Sequence, residues 1–426
     1  MYLLYNIFIT LVFIIFFPYL FIRALFGRHG ISERLGWLPQ NTKNRLFQKE
    51  VIWFHTASVG EVKILPPVIH SLKKKSPDSV VVVTSLTKTG KAEAKKILKD
   101  AELVFYPPID IGFLVKRVVK KIKPKALVLV ETEIWPNLIR EVKRKKAKIV
   151  VINGRLSSKS FPLYFRFKRF FSEVLSFVDI FCMRTEEDSQ RAIILGANPD
   201  KIKVLGNLKF DQILSSFSTH PKEMLKKSFG IDLHSKLIVA GSIREGEEKI
   251  VLNAFFRLKK EFLNLSLILA PRHMKRLKEI EKILHSLGLK FIRKTELKNQ
   301  KVKEDVILLD TLGELFSLYS CADVAFVGGS LVPKGGHNIL EPAIFGVPVL
   351  FGPHTENFKF AKDVLLNSGG GIMVKDGEEL YQKLFLLLKN DKLKKGLGKK
   401  AQLAVQSQRG VSDETVELLL KTLDEK

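Results

Sequence analysis

The sequence predicts an α/β protein of two doubly wound, parallel-sheet halves behind an apolar N-terminal segment. Three observations predict it. Short β-branched runs alternate with amphipathic, Lys-rich stretches along the whole chain, the pattern of parallel sheets covered by helices on both faces. A polar stretch, QILSSFSTHP from Gln212 to Pro221, breaks that alternation midway and reads as a linker. The 426 residues also exceed the roughly 250–300 that one hydrophobic core organises.

From Met1 to Ile22 no side chain is charged, and only Asn6 and Thr10 interrupt the apolar character. About 20 such residues, rising ~1.5 Å each, span a hydrocarbon core of roughly 30 Å. Arg23, Arg28 and Arg34 follow, which by the positive-inside rule puts the rest of the chain on the cytoplasmic side. A cleaved signal peptide wants positive charge before the apolar run and a small-residue site after it, and neither is present. The expectation is a transmembrane anchor over 1–24; the alternative is a helix lying in the bilayer interface or packed on the globular body.

Strand candidates in the first half are VIWFHTA from Val51, VVVVTS from Val80, LVFYPP from Leu103, ALVLVE from Ala126, KIVVIN from Lys148 and VDIFCM from Val178. The second half offers KLIVAGS from Lys236, LSLILAP from Leu265, VILLD from Val306, DVAFVGGS from Asp323 and VPVLFGP from Val347. Expected domains are 32–215 and 223–405, with a C-terminal helix over 406–426. Open α/β sheets bind ligands beyond the carboxyl ends of their strands, so function is sought there, in a cleft between the halves.

Composition narrows the class. Hydrophobic residues at 46% and charged residues at 27% exclude a disordered or fibrous chain. Lys+Arg 71 against Asp+Glu 44 gives a formal charge of +27, which asks for an anionic partner: nucleic acid, acidic lipid or a phosphorylated substrate. Cys182 and Cys321 lie apart in apolar contexts and read as core packing, leaving no disulfide scaffold or Cys-rich zinc site.

Four strand ends carry polar residues that a core would not select. In His55-Thr56-Ala57-Ser58-Val59-Gly60-Glu61, Glu61 opens a helix, either as an acidic first-turn residue or as a general base. Glu131-Thr132-Glu133-Ile134-Trp135-Pro136-Asn137 sets two carboxylates beside a Trp, costly to bury unpaired. GNLKFD (Gly206–Asp211) and Ala270-Pro271-Arg272-His273 place Lys209 and Arg272 where a cation can hold an anion. Phe326 to Pro342, FVGGSLVPKGGHNILEP, joins two Gly pairs to Asn338, which reads as an N-cap, and to Glu341, suited to a ribose diol. Separately, SFPLYFRFKRFF from Ser160 interleaves basic and aromatic residues, which fits a bilayer interface or a buried helix with a basic edge.

Taken in order, HTASVGE, ETEIWPN, GNLKFD, APRH, DTLGEL and FVGGSLVPKGGHNILEPA resemble the 3-deoxy-D-manno-octulosonic acid (Kdo) transferases of lipopolysaccharide synthesis. The resemblance covers nearly the whole chain. It implies a GT-B fold, two Rossmann-like domains facing a cleft, the first holding the acceptor and the second CMP-Kdo. It further implies metal-independent, inverting transfer of Kdo to a lipid A precursor (lipid IVA) at the inner membrane, with no cofactor and no nucleic acid. Glu61 matches the base, and Glu131 and Lys209 match positions credited with stabilising the transition state. CMP contacts fall on Pro271 and Arg272, on Leu312, Gly313 and Glu314, and on Asn338, Ile339, Leu340 and Glu341. Competing readings are a GT-B enzyme using a nucleoside diphosphate sugar, a related epimerase, and a membrane-tethered nucleic-acid- or lipid-binding protein. How many Kdo units are added is not legible.

Overall fold

A computed structural model describes residues 1–25, 30–38, 42–46, 48–215, 222–297 and 302–425. The chain divides into two compact units, Met1–Ser215 with Gly410–Lys426, and Ser216–Arg409.

Unit 1 carries the strands β1 (Val51–Thr56), β2 (Val80–Ser85), β3 (Ala101–Phe105), β4 (Ala126–Val130), β5 (Lys148–Gly154), β6 (Ile180–Met183) and β7 (Ile202–Val204). They form one sheet in the order β3-β2-β1-β4-β5-β6-β7, every pairing parallel. Alternate residues serve opposite faces. Val51, Trp53, Val80 and Val82 join one buried cluster, while Ile52, Phe54, Val81 and Val83 join another. That is why these runs read as continuously apolar.

Unit 2 carries β8 (Lys236–Ile243), β9 (Leu265–Pro271), β10 (Phe291–Arg293), β11 (Val306–Leu308), β12 (Val324–Val327), β13 (Val349–Phe351) and β14 (Gly371–Met373). Its sheet runs β10-β11-β9-β8-β12-β13-β14, again all parallel. Each sheet has a switch point, where consecutive connections leave in opposite directions: between β1 and β4 in unit 1, and between β8 and β12 in unit 2. These are the positions at which such folds bind ligands.

The three-residue strands β7, β10 and β14 were not expected from the sequence. They lie at sheet edges and lack the long β-branched runs that betray buried strands. The expected linker also changes character: Gln212–Ser215 complete the helix Lys209–Ser215, and 216–221 lie outside the described residues. The C-terminal helix Val411–Asp424 belongs to unit 1, where Val411, Val416 and Leu419 pack on the Ile52 and Phe54 face. Asp211 caps it, accepting N–H bonds from Gly410 (3.0 Å) and Ser412 (2.6 Å).

The N-terminal segment departs from the anchor expectation. Residues Tyr2–Leu25 form a helix, yet among the described residues no helix is long and apolar enough to cross a membrane. Its first turns dock on unit 1 instead. Tyr2 is buried, with its ring 5.2 Å from that of Phe170. Tyr5 donates its hydroxyl to Asp110 (2.8 Å), and Asn137 donates to the Asn6 carbonyl oxygen Oδ1 (2.8 Å). Leu4, Phe8, Leu11 and Ile15 remain exposed on the helix surface. Arg28 lies outside the described residues.

The aromatic-basic stretch is part buried and part exposed. It forms the helices Phe161–Arg166 and Lys168–Ser176. Phe170 is buried and Phe161, Tyr164 and Phe171 pack against the core, whereas Leu163, Phe165 and Phe167 are exposed. Cys182 and Cys321 are free and buried, as core packing requires.

Candidate active site

In unit 1 the switch point gathers the acidic motifs. Ser58 is the N-cap of the helix Val59–Lys63, and Glu61 is its third residue. Glu61 Oε1 accepts the Ser58 hydroxyl (2.8 Å), while the Glu61 N–H donates to Ser58 Oγ (3.4 Å). This reciprocal Ser58–Glu61 pairing, with the Ala57 N–H on Oε2 (2.6 Å), holds the carboxylate at the end of β1. Glu61 therefore does fill the acidic first-turn position. Glu61 is 8% exposed, and burial, aided by the nearby charges of Glu133 and Glu131, pushes its carboxyl up to about 7.

Glu131 sits at the end of β4 with φ 60, a left-handed conformation that costs a non-glycine residue roughly 1–2 kcal/mol. Asn153, at φ 51 near the end of β5, donates to Glu131 Oε1 (3.3 Å) and accepts the Leu208 N–H (3.1 Å). One amide thus links Glu131 to Leu208, the residue before the helix that Lys209 opens. Burial lowers the Lys209 ammonium, and the charge of Glu131 opposes that fall. Glu133 is raised by burial and accepts the Trp135 indole N–H (3.0 Å). His55 is fully buried, with Nδ1 on Thr84 Oγ1 (2.9 Å) and Nε2 4.0 Å from Glu133, and burial alone drives it down to about 3. It is a neutral imidazole under the acidic cluster.

Glu131, Glu133 and Arg155 line a cavity whose other walls include Leu129, Val151, Leu156, Phe181 and Met183. Arg155 and Arg184 bear on the electrostatics of Lys209 as well. Neither arginine, nor Asn153, was singled out from the sequence. Arg155 and Arg184 follow β5 and β6, Asn153 is the penultimate residue of β5, and that position was the available signal.

In unit 2, β8 and β9 lose register between Ala240 and Ile243, and Ser242 takes φ 57. This irregularity re-aims the chain so that Arg244 leaves the carboxyl end of β8. A side chain on Gly241 would strike the Tyr319 hydroxyl at 1.9 Å, so the approach requires glycine. Pro271 is buried at the end of β9, and Arg272 is exposed with its N–H on the Ile243 carbonyl (2.9 Å). Asn338 donates to Glu341 (3.3 Å) and accepts the Leu340 N–H (3.2 Å). Burial raises the Glu341 carboxyl to about 7, against the opposing effects of Asn338 and Arg272.

The helix after the second Gly pair differs from expectation. It is only Leu340–Ala343, its N-cap is Ile339, and Asn338 stands one residue earlier. One helical turn has little macrodipole, so the helix dipole expected at this strand end is weak. Gly313 (φ 93) and the exposed Leu312 form the turn before Glu314, which accepts the Thr311 hydroxyl. Glu314 is the N-cap of Leu315–Tyr319, a helix that packs against Leu340–Ala343. Sequence reading also missed Glu247, which is fully buried. Its carboxylate accepts the N–H groups of Arg244 (3.0 Å), Gly329 (2.6 Å), Ser330 (2.9 Å) and Leu331 (2.8 Å).

Among the described residues no group of three or more His, Cys, Asp or Glu side chains is placed to hold a metal. What the two switch points offer is a buried carboxylate poised near neutrality in unit 1 and a cationic, glycine-lined strand end in unit 2.

Residues 29–212 match the family model described as 3-deoxy-D-manno-octulosonic-acid transferase. A 3-deoxy-D-manno-octulosonic acid transferase of Aquifex aeolicus is 36% identical over 346 residues, 80% of this chain and 86% of that one. A bifunctional glycosyltransferase/methyltransferase of Fusobacterium nucleatum is 38% identical over 354 residues, 82% of this chain; the alignment spans about half of that longer protein, 54%. Among solved structures, a UDP-GlcNAc 2-epimerase from Neisseria meningitidis superimposes with TM-score 0.62 at 16% identity, covering 88% of this chain and 100% of that one. At that identity the likeness speaks to the fold alone.

Proposed function

The chain belongs to the Kdo transferase family and is a Kdo glycosyltransferase of lipopolysaccharide synthesis, and from that premise we propose that it moves Kdo from CMP-Kdo to a lipid A precursor with inversion at the anomeric carbon. The observation that carries the mechanism is Glu61, a buried carboxyl raised to about 7 and held by its own helix cap. A base poised near working pH combines a useful ionised fraction with the driving force to take a hydroxyl proton.

In this reading unit 1, with the expected domain 32–215, serves the acceptor and unit 2, with the expected domain 223–405, the donor, and the helix Val411–Asp424 completes unit 1. Glu61 removes the proton from the acceptor hydroxyl as its oxygen bonds to the anomeric carbon. The bond from that carbon to the phosphate oxygen breaks, and its electron pair leaves with CMP. Lys209, oriented with Glu131, answers the charge that develops at the reacting centre. Pro271, Arg272, Leu312, Gly313, Glu314, Asn338, Ile339, Leu340 and Glu341 hold CMP, with Arg272 on the leaving phosphate and Glu341 on the ribose. Preorganised charge of this kind acts where negative charge grows in the transition state.

The substrate would be met at an anionic membrane surface. Support comes from the formal charge of +27, the exposed apolar residues of the N-terminal helix, and Leu163, Phe165 and Phe167 beside Arg166 and Lys168. The helix lies in the interface in this account and does not span.

A donor panel tests the proposal. With a lipid A precursor as acceptor, CMP-Kdo should be consumed and CMP released, while UDP-GlcNAc and other nucleoside diphosphate sugars stay intact. Turnover of a nucleoside diphosphate sugar without turnover of CMP-Kdo would replace it with the competing glycosyltransferase or epimerase reading.

A further inference from the structure

Two arginines meet at the unit 2 switch point, and only one of them has been given a task. Arg244 leaves β8, and its guanidinium is held by two histidines, His273 just after β9 and His337 in the loop that follows β12. Nε donates to His337 Nε2 (3.1 Å) and Nη1 to His273 Nε2 (2.8 Å). An arginine has no acceptor, so both imidazoles must present a lone pair at Nε2 and carry their proton on Nδ1. Arg257, Arg276 and Arg293 of the same unit pair with Glu378, Glu248 and Glu281. By contrast, among the described residues neither Arg244 nor Arg272 has a carboxylate within ion-pair distance.

We infer that Arg244, clamped by His273 and His337, is a second anion subsite that receives the carboxylate of the acidic donor sugar, beside the phosphate subsite at Arg272. The inference rests on the proposed donor. Kdo bears its carboxylate on the anomeric carbon, the same carbon that bears the leaving phosphate. The activated sugar therefore presents two anions a few ångströms apart, and a site for it needs two cations. A nucleoside monophosphate donor with a neutral sugar presents no such second anion, so among CMP-linked sugars Arg244 is where an acidic sugar is told from a neutral one.

Three features fit the role. Two of the five guanidinium N–H groups are spent on imidazoles, leaving the rest for a bidentate carboxylate. His337 is held down to about 4 by burial and then by Arg272, Arg244 and His273, and His273 is lowered by desolvation and by Arg244, Lys275 and Arg272. Both histidines thus stay neutral and orient the arginine without repelling it. Glu247 then fixes the backbone at both ends, binding the N–H of Arg244 and those of Gly329 to Leu331, and a side chain at Gly329 would press on His337 at 2.9 Å. The subsite is built before any ligand arrives.

The test compares CMP with CMP-Kdo, ligands that differ by the sugar and its carboxylate. Affinities are measured calorimetrically on the full chain without acceptor, for wild type, Arg244→Ala and Arg272→Ala. Arg244→Ala should weaken CMP-Kdo by about 10²-fold and CMP by less than about threefold, the retained CMP binding reporting an intact fold. Arg272→Ala should weaken both. Equal losses of CMP and CMP-Kdo in Arg244→Ala would make Arg244 a phosphate ligand and overturn the inference, as would no loss of either. Should Arg244→Ala unfold, a CMP-Kdo analogue with its carboxylate made an amide decides on wild type: it should bind about 10²-fold more weakly than CMP-Kdo, and equal binding refutes the subsite. Wild type that binds CMP but not CMP-Kdo would instead sink the proposed donor, a separate result.

Discussion

Replacing Glu61 by Gln should remove activity and stabilise the protein, and the two effects come from one cause. Burial lifts the carboxyl from 4.5 to about 7, so holding it ionised in the folded state costs about 3 kcal/mol at ~1.4 kcal/mol per pH unit. The sign follows from proton linkage. Between pH 4.5 and about 7 the folded state binds more protons than the unfolded one, so this group makes stability fall as pH rises. Above about 7 the full cost is present; below 4.5 it is absent. Gln keeps the shape, its carbonyl accepting from Ala57 and its amide donating to a reoriented Ser58 hydroxyl. Glu61→Gln should thus gain up to about 3 kcal/mol at pH 8 and little at pH 4.5, while turnover falls about 10²–10⁴-fold. Urea unfolding at the two pH values and steady-state release of CMP measure the two halves. Near wild-type turnover in a folded variant refutes the base. A variant that is no more stable at pH 8, or whose gain does not shrink on acidification, refutes the buried-carboxylate argument.

Glu133 helps hold Glu61 up, so Glu133→Gln should move the acid limb of the kcat/KM profile to lower pH; an unmoved limb denies the coupling. For Lys209→Met, kcat should drop about 10²–10³-fold with CMP affinity unchanged, and a change confined to CMP affinity would place the ammonium on the donor. Exchanging Leu4, Phe8, Leu11 and Ile15 for Ser should release the protein from anionic vesicles without altering its unfolding midpoint; undiminished vesicle binding would shift the contact to Leu163, Phe165 and Phe167.

Much of the candidate site was legible because carboxylates and cations violate the apolar rule at strand ends, where buried parallel strands otherwise read as Val, Ile and Leu. Glu61, Glu131, Lys209 and Arg272 stand out that way. Asn153, Arg155 and Arg184 obey the same positional logic but belong to none of the strand-end motifs that stood out. Glu247 is harder still: Arg244 to Glu248 offers three acids in a row of five residues, and only the tertiary fold buries the middle one against the loop after β12. The N-terminal helix shows the limit of hydropathy. Lipid and an apolar protein face select the same side chains, and the docking of Tyr5 on Asp110 links residues 105 apart. Asp211 illustrates the reverse, a motif residue whose observed work is to cap the C-terminal helix.

The central claim is a group transfer, and product mass tests it most directly. Purified protein incubated with CMP-Kdo and a lipid A precursor should yield a lipid heavier by one or more whole Kdo residues, with one CMP released for each. An acceptor of unchanged mass, or CMP released without a heavier lipid, would contradict the account.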